Sequence, residues 1–166
     1  MIKVVIDTNV VVSGNLVDEG PSAAILDLAA NKKILMFVSP AILAEYEEVL
    51  HRPRLKLDPA RIADSLAVIR KTSTEVLPNN VLKISAHESD NRFYECAEAA
   101  KADYLITGNT KDFNNDYKTT KIIKPRDSID LIIPELAQVS GEVQAIPAKP
   151  DLYRPTCDTV VSFSVF

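Results

Sequence analysis

The sequence predicts an α/β fold in which a parallel sheet is covered by helices on both faces. Three observations predict it. Short apolar runs rich in β-branched residues, such as Ile2-Lys3-Val4-Val5-Ile6, read as strands buried on both sides. Segments with apolar residues every three or four positions alternate with those runs, and strand-helix alternation implies parallel pairing with right-handed crossovers. Finally, 166 residues, 46% of them apolar and 25% charged, are enough for one sizeable core and too few for two.

The first strand stops at Asp7-Thr8-Asn9, and the periodic pattern predicts a helix from about Pro21 to Asn31. A second strand, Ile34 to Val38, ends at Ser39-Pro40, where Ser39 caps a helix and Pro40 occupies its first turn. In that helix Ile42, Leu43, Tyr46, Val49 and Leu50 share a face. At 100° per residue this sets Glu45 and Glu47 on its two flanks and turns Glu48 to solvent.

Asp58-Pro59 caps the next helix, striped by Ile62, Leu66 and Ile69 and running to about Lys71. Glu75-Val76-Leu77 reads as a short strand. Asp90 opens a helix through Ala100 in which Phe93, Cys96, Ala97 and Ala100 are spaced to pack on a sheet. Tyr104 to Thr107 is a strand followed by the turn Gly108-Asn109, a polar segment to Asp116, a last strand near Lys121-Ile122-Ile123, and a helix after Pro125. From about Pro134 the pattern dissolves, so we expect a domain over 1–133 and an extension over 134–166 that holds the alternating Thr159-Val160-Val161-Ser162-Phe163.

No apolar run is long enough to span a bilayer, and the amino terminus lacks a basic flank followed by an apolar core, so a cytoplasmic setting is expected. The two cysteines, Cys96 and Cys157, form no CxxC and are expected to be reduced. A net charge of −4 excludes a surface that attracts phosphates everywhere, and leaves local basic patches at His51 to Lys56 and Lys118 to Arg126.

Ligands of an open parallel sheet bind beyond the carboxyl ends of its strands, where Asp7 and the Gly108 to Asp112 turn fall. Asp103 starts its strand, roughly 15 Å from that edge at about 3.3 Å per residue, and is excluded. Taken singly, Asp7, Glu45, Asp90 and Asp112 are a turn residue, a helix flank, a helix cap and a turn former. Together they would need a cation, because two carboxylates about 5 Å apart repel by roughly 3 kcal/mol at an effective dielectric of about 20. Oxygen ligands without histidine or cysteine favour Mg²⁺ or Mn²⁺ over zinc, and the natural chemistry of such a cluster is phosphodiester hydrolysis.

Four stretches carry a resemblance: Val4-Val5-Ile6-Asp7-Thr8-Asn9-Val10, Ser39-Pro40-Ala41-Ile42-Leu43-Ala44-Glu45, Ser89-Asp90-Asn91-Arg92-Phe93, and Ala102-Asp103-Tyr104-Leu105-Ile106-Thr107-Gly108-Asn109. In this order the chain resembles the PIN-domain nucleases from Met1 to about Ile133. The resemblance implies a doubly wound three-layer α/β/α sandwich and cleavage of single-stranded RNA with Mg²⁺ or Mn²⁺, commonly by toxins of toxin–antitoxin pairs, with an antitoxin protein as partner. It assigns Asp7, Glu45 and Asp90 as catalytic metal ligands and prefers Glu45 over Glu47, which periodicity left open. Many family members carry Asp where this chain has Asn109, so Asp112 is assigned the fourth carboxylate, with Asn109 a neutral ligand or turn residue. Asn9 and Thr107 are expected to orient the carboxylates by hydrogen bonds, and His87 is given no role. The apolar extension is expected to contact another copy, giving a homodimer or higher homo-oligomer, or a partner chain.

Overall fold

A computed structural model describes residues 1–110, 113 and 116–140, the side chains of 137–140 excepted. Its sheet has five strands: β1 (Lys3–Ile6), β2 (Leu35–Val38), β3 (Thr74–Glu75), β4 (Tyr104–Ile106) and β5 (Lys121–Ile123). All pair in parallel, in the order β3-β2-β1-β4-β5. Among the described residues six α-helices, α1 (Thr8–Leu16), α2 (Pro21–Ala30), α3 (Pro40–Leu50), α4 (Pro59–Thr72), α5 (Glu88–Ala100) and α6 (Pro125–Ser140), complete the expected α/β/α sandwich.

Strand β1 lies at the centre because every residue from Val4 to Ile6 is apolar and fully buried, leaving no face for water. Each such side chain contributes roughly 1.5–3 kcal/mol by leaving solvent. Its register aligns Val4, Val5 and Ile6 with Tyr104, Leu105 and Ile106 of β4, so the two strands end level. The chain leaves β1 toward β2 on one side and later returns to β4 on the other. This reversal splays the loops apart at the carboxyl edge and opens a crevice there. Asp103, by contrast, meets the opposite edge, where a carboxylate oxygen accepts from the Lys3 backbone N–H at 2.8 Å.

Four differences from the sequence reading have physical causes. Helix α1 was not expected, since Val10-Val11-Val12, Gly14 and Asn15 are weak helix formers. Burial of Val10 and Val11 offsets that weakness, and α2 approaches closely at Gly14, where a Cβ would stand 2.5 Å from the end of the Leu26 side chain and 3.2 Å from the Ser22 carbonyl oxygen. Strand β3 forms at Thr74–Glu75, not at Glu75 to Leu77, because pairing with β2 ends once the Val76 N–H reaches the Val38 carbonyl at 2.8 Å. Helix α5 starts two residues before Asp90, with His87 in the cap position. Helix α6 runs past the expected boundary through Pro134 to Ser140, and its Ile129, Ile132 and Leu136 share an apolar face set against the core. The predicted strand at Thr159 to Phe163 lies outside the described residues.

Candidate active site

Asp7 ends β1 and starts α1, so its backbone belongs to both elements: its N–H donates to the Ile106 carbonyl at 2.9 Å, and its own carbonyl accepts from Val10 at 3.0 Å. The side chain is thereby fixed at the crevice. Thr107, the residue following β4, donates its hydroxyl to Asp7 Oδ2 at 2.6 Å, and the Asn9 amide donates to the same oxygen. Asn9 is itself held, its Oδ1 accepting from the Gly108 N–H at 2.9 Å. The Thr107 hydroxyl also accepts from the Asn109 N–H at 3.0 Å, which shapes the turn after β4.

Glu45 reaches the same crevice from α3. That helix is oriented by its Ser39 cap, which accepts from the Ile42 N–H at 3.3 Å, and by Tyr46, whose buried hydroxyl donates to the Ile6 carbonyl beneath the site. Thr8 then donates to Glu45 Oε1 at 2.6 Å. Glu47 turns the other way and pairs with Arg70 of α4 at 2.8 Å. Glu48 is exposed, as expected, yet it also borders the cleft, pairing there with Arg52 at 2.9 Å.

Asp90 arrives on the first turn of α5, where Ser85 donates to its Oδ2 at 2.9 Å. The loop bearing Ser85 is clamped by Asn91, whose buried side chain accepts from the Ile84 and Ser85 N–H groups at 2.8 Å and donates to the Ser85 carbonyl at 3.1 Å. Asp7, Glu45 and Asp90 therefore line one cleft of about 580 Å³, with Asn9 and Asn109 also on its wall. Asp112 lies outside the described residues.

Burial and charge act on these acids together. Loss of water is the main cause that pushes the Asp7 carboxyl up to about 6, and the Glu45 and Asp90 charges add to it against the opposing Thr107 hydrogen bond. Glu45 is raised by burial first and by Asp90 and Glu48 after it, while Thr8 and Arg52 pull it down. Such a set gains from a bound cation. Its donors are hard oxygens, each acid anchored through one oxygen by a hydroxyl, which fits Mg²⁺ or Mn²⁺. No three Asp, Glu, His or Cys side chains among the described residues stand as a ready-made cage.

Three anchoring residues escaped the sequence reading: Thr8, Ser85 and Tyr46. Thr8 and Tyr46 adjoin Asp7 and Glu45 in sequence, and Ser85 precedes Asp90 by a turn's length. A search for hydroxyls flanking each acid would have found them. Cys96, buried with its thiol pushed up to about 12, has no part in the chemistry. No helix among the described residues is long and apolar enough to cross a membrane.

The chain is similar in sequence to known proteins. A family model described as a PIN domain matches residues 3–111. An uncharacterized protein of the archaeon Methanocaldococcus jannaschii is 35% identical over 136 residues, which span 80% of this chain and 86% of that protein.

Proposed function

The chain belongs to the PIN-domain family, whose fold is that of nucleases, and from that premise we propose that it is a metal-dependent endoribonuclease acting on single-stranded RNA. One observation carries the reading: the convergence of Asp7, Glu45 and Asp90 on one cleft at the point where the strand order reverses. These three acids would hold Mg²⁺ or Mn²⁺, with Asp112 supplying the fourth carboxylate and Asn109 a neutral ligand or a turn residue. Once bound, the ion supplies an activated water and neutralises charge on the scissile phosphate.

The chain's own residues do the positioning. Thr107 and Asn9 occupy Asp7 Oδ2, Thr8 occupies Glu45 Oε1, and Ser85 occupies Asp90 Oδ2. Each carboxylate is thus aimed before any ligand arrives, which lowers the cost of ordering it on binding. Purified protein is expected to cut single-stranded RNA with Mg²⁺ or Mn²⁺ and to stop when EDTA is added. Cutting that persists in EDTA would rule the reading out.

We assign this activity to a toxin held in check by an antitoxin protein in the cytoplasm. Growth arrest on expression, relieved by a neighbouring gene product, supports that setting. A second reading, a non-catalytic module binding RNA or a protein, is favoured by Asn109 standing where the resemblance to PIN-domain nucleases would place an acid. It predicts RNA binding without turnover.

A further inference from the structure

The cleft is not purely acidic. Arg52 and Arg54 line it together with Asp7, Glu45, Glu48 and Asp90. Four carboxylates and two guanidinia leave the wall two negative charges in excess, a barrier to any polyanion. One divalent cation brings the wall to neutrality, and a cation free to bind phosphate then decides whether an RNA strand stays.

The two arginines differ in what they already do. Arg52, just past the end of α3, is paired with Glu48 of its last turn. Arg54 makes no ion pair or side-chain hydrogen bond with any described residue, although carboxylates share its cleft. Its backbone is held in place. Arg54 is the middle residue of a 3₁₀ turn, Pro53–Leu55, closed by the Leu55 N–H on the Arg52 carbonyl at 3.0 Å and the Lys56 N–H on the Pro53 carbonyl at 3.1 Å. Lys56 leaves that turn in the left-handed region at φ 49°, and half-buried Leu57 packs the segment against the core.

We propose that Arg54 is the substrate's backbone anchor: its guanidinium takes, through paired N–H donors, a phosphate of single-stranded RNA next to the one that lies over Asp7, Glu45 and Asp90. Half-buried Val12, Val49 and Leu55 of the same wall give the adjoining ribose or base an apolar surface. Arg52, its charge shared with Glu48, keeps that acid from repelling the strand. This assignment rests on the ribonuclease reading for its substrate, while the contact itself is one of binding.

The test separates the two. A labelled single-stranded RNA of about twelve nucleotides is titrated into the protein with Ca²⁺ in place of Mg²⁺, at several salt concentrations, and cleavage is measured in parallel. Losing one charge-assisted bidentate contact is expected to weaken Arg54→Ala by about tenfold or more. Its log–log salt slope should become shallower by about 0.7, the value for one phosphate on a single strand. Arg54→Lys should keep the slope and lose part of the affinity, because a lysine is a point charge without the fork. Lys33→Ala, at the opposite edge of the sheet, should match wild type. If Arg54→Ala binds with wild-type affinity and slope while wild type cleaves, the anchor is overturned and the nuclease reading stands. If wild type neither binds nor cleaves RNA, both are overturned.

Discussion

The Thr107 hydroxyl donates to Asp7 Oδ2 at 2.6 Å, joining the carboxyl ends of two adjacent parallel strands whose residues stand 100 positions apart. This bond aims the central carboxylate and closes the sheet at its switch point. Replacing Thr107 with valine keeps the shape and removes the donor, leaving a buried carboxylate short of a partner. A loss of about 1–3 kcal/mol in unfolding free energy is expected, with a lower turnover. Denaturant melts that coincide with wild type would show the bond to be idle.

Asp7→Asn and Asp90→Asn should each abolish RNA cleavage while circular dichroism stays native. Without metal, Asp7→Asn should also raise the melting temperature at neutral pH, because it removes the most buried of three mutually repelling charges. Equal cleavage by wild type and both variants would trace the activity to a contaminant.

The pH dependence follows from the same charge. The Asp7 carboxyl is raised from 3.8 to about 6 by folding, so between those values the folded state binds the extra proton. Metal-free protein should therefore be more stable near pH 4.5 than near pH 7, the loss accruing as pH climbs through about 6. Divalent ions compete with that proton, and Mn²⁺ affinity should increase across the same interval. Calorimetry at both pH values reads both effects, and a flat metal affinity would contradict them.

Glu45→Gln and Glu47→Gln make a matched pair on one helix. Glu45 faces Thr8 and Asp7 in the cleft, whereas Glu47 holds an exposed ion pair with Arg70. Cleavage should fall steeply in the first and stay within about twofold in the second, whose stability should change by less than about 1 kcal/mol. Reversed kinetics would move the metal site to the other flank.

Removal of residues 141–166, leaving α6 whole, tests the proposed role of the extension in self-association. A smaller mass in solution by light scattering is expected. An unchanged mass would refute that role.

Local patterns determined much of this protein by themselves. Apolar runs and caps placed five strands, β3 one residue late, and five of the six helices, because burial and capping act over a few residues. Asp7, Glu45 and Asp90 stood out through the resemblance of the sequence around them to PIN domains, and the match over residues 3–111 bears out the family. Only the tertiary structure decided the rest. Helix α1 exists because α2 packs onto Gly14 and the core covers Val10 and Val11, against their own propensities. Glu47 is drawn to Arg70, 23 positions away. Thr107 meets Asp7, and Arg54 enters the acids' cleft, through strand register and helix packing. Side-chain periodicity specifies which face of an element is buried, whereas the neighbour that face meets is set by how distant segments pair.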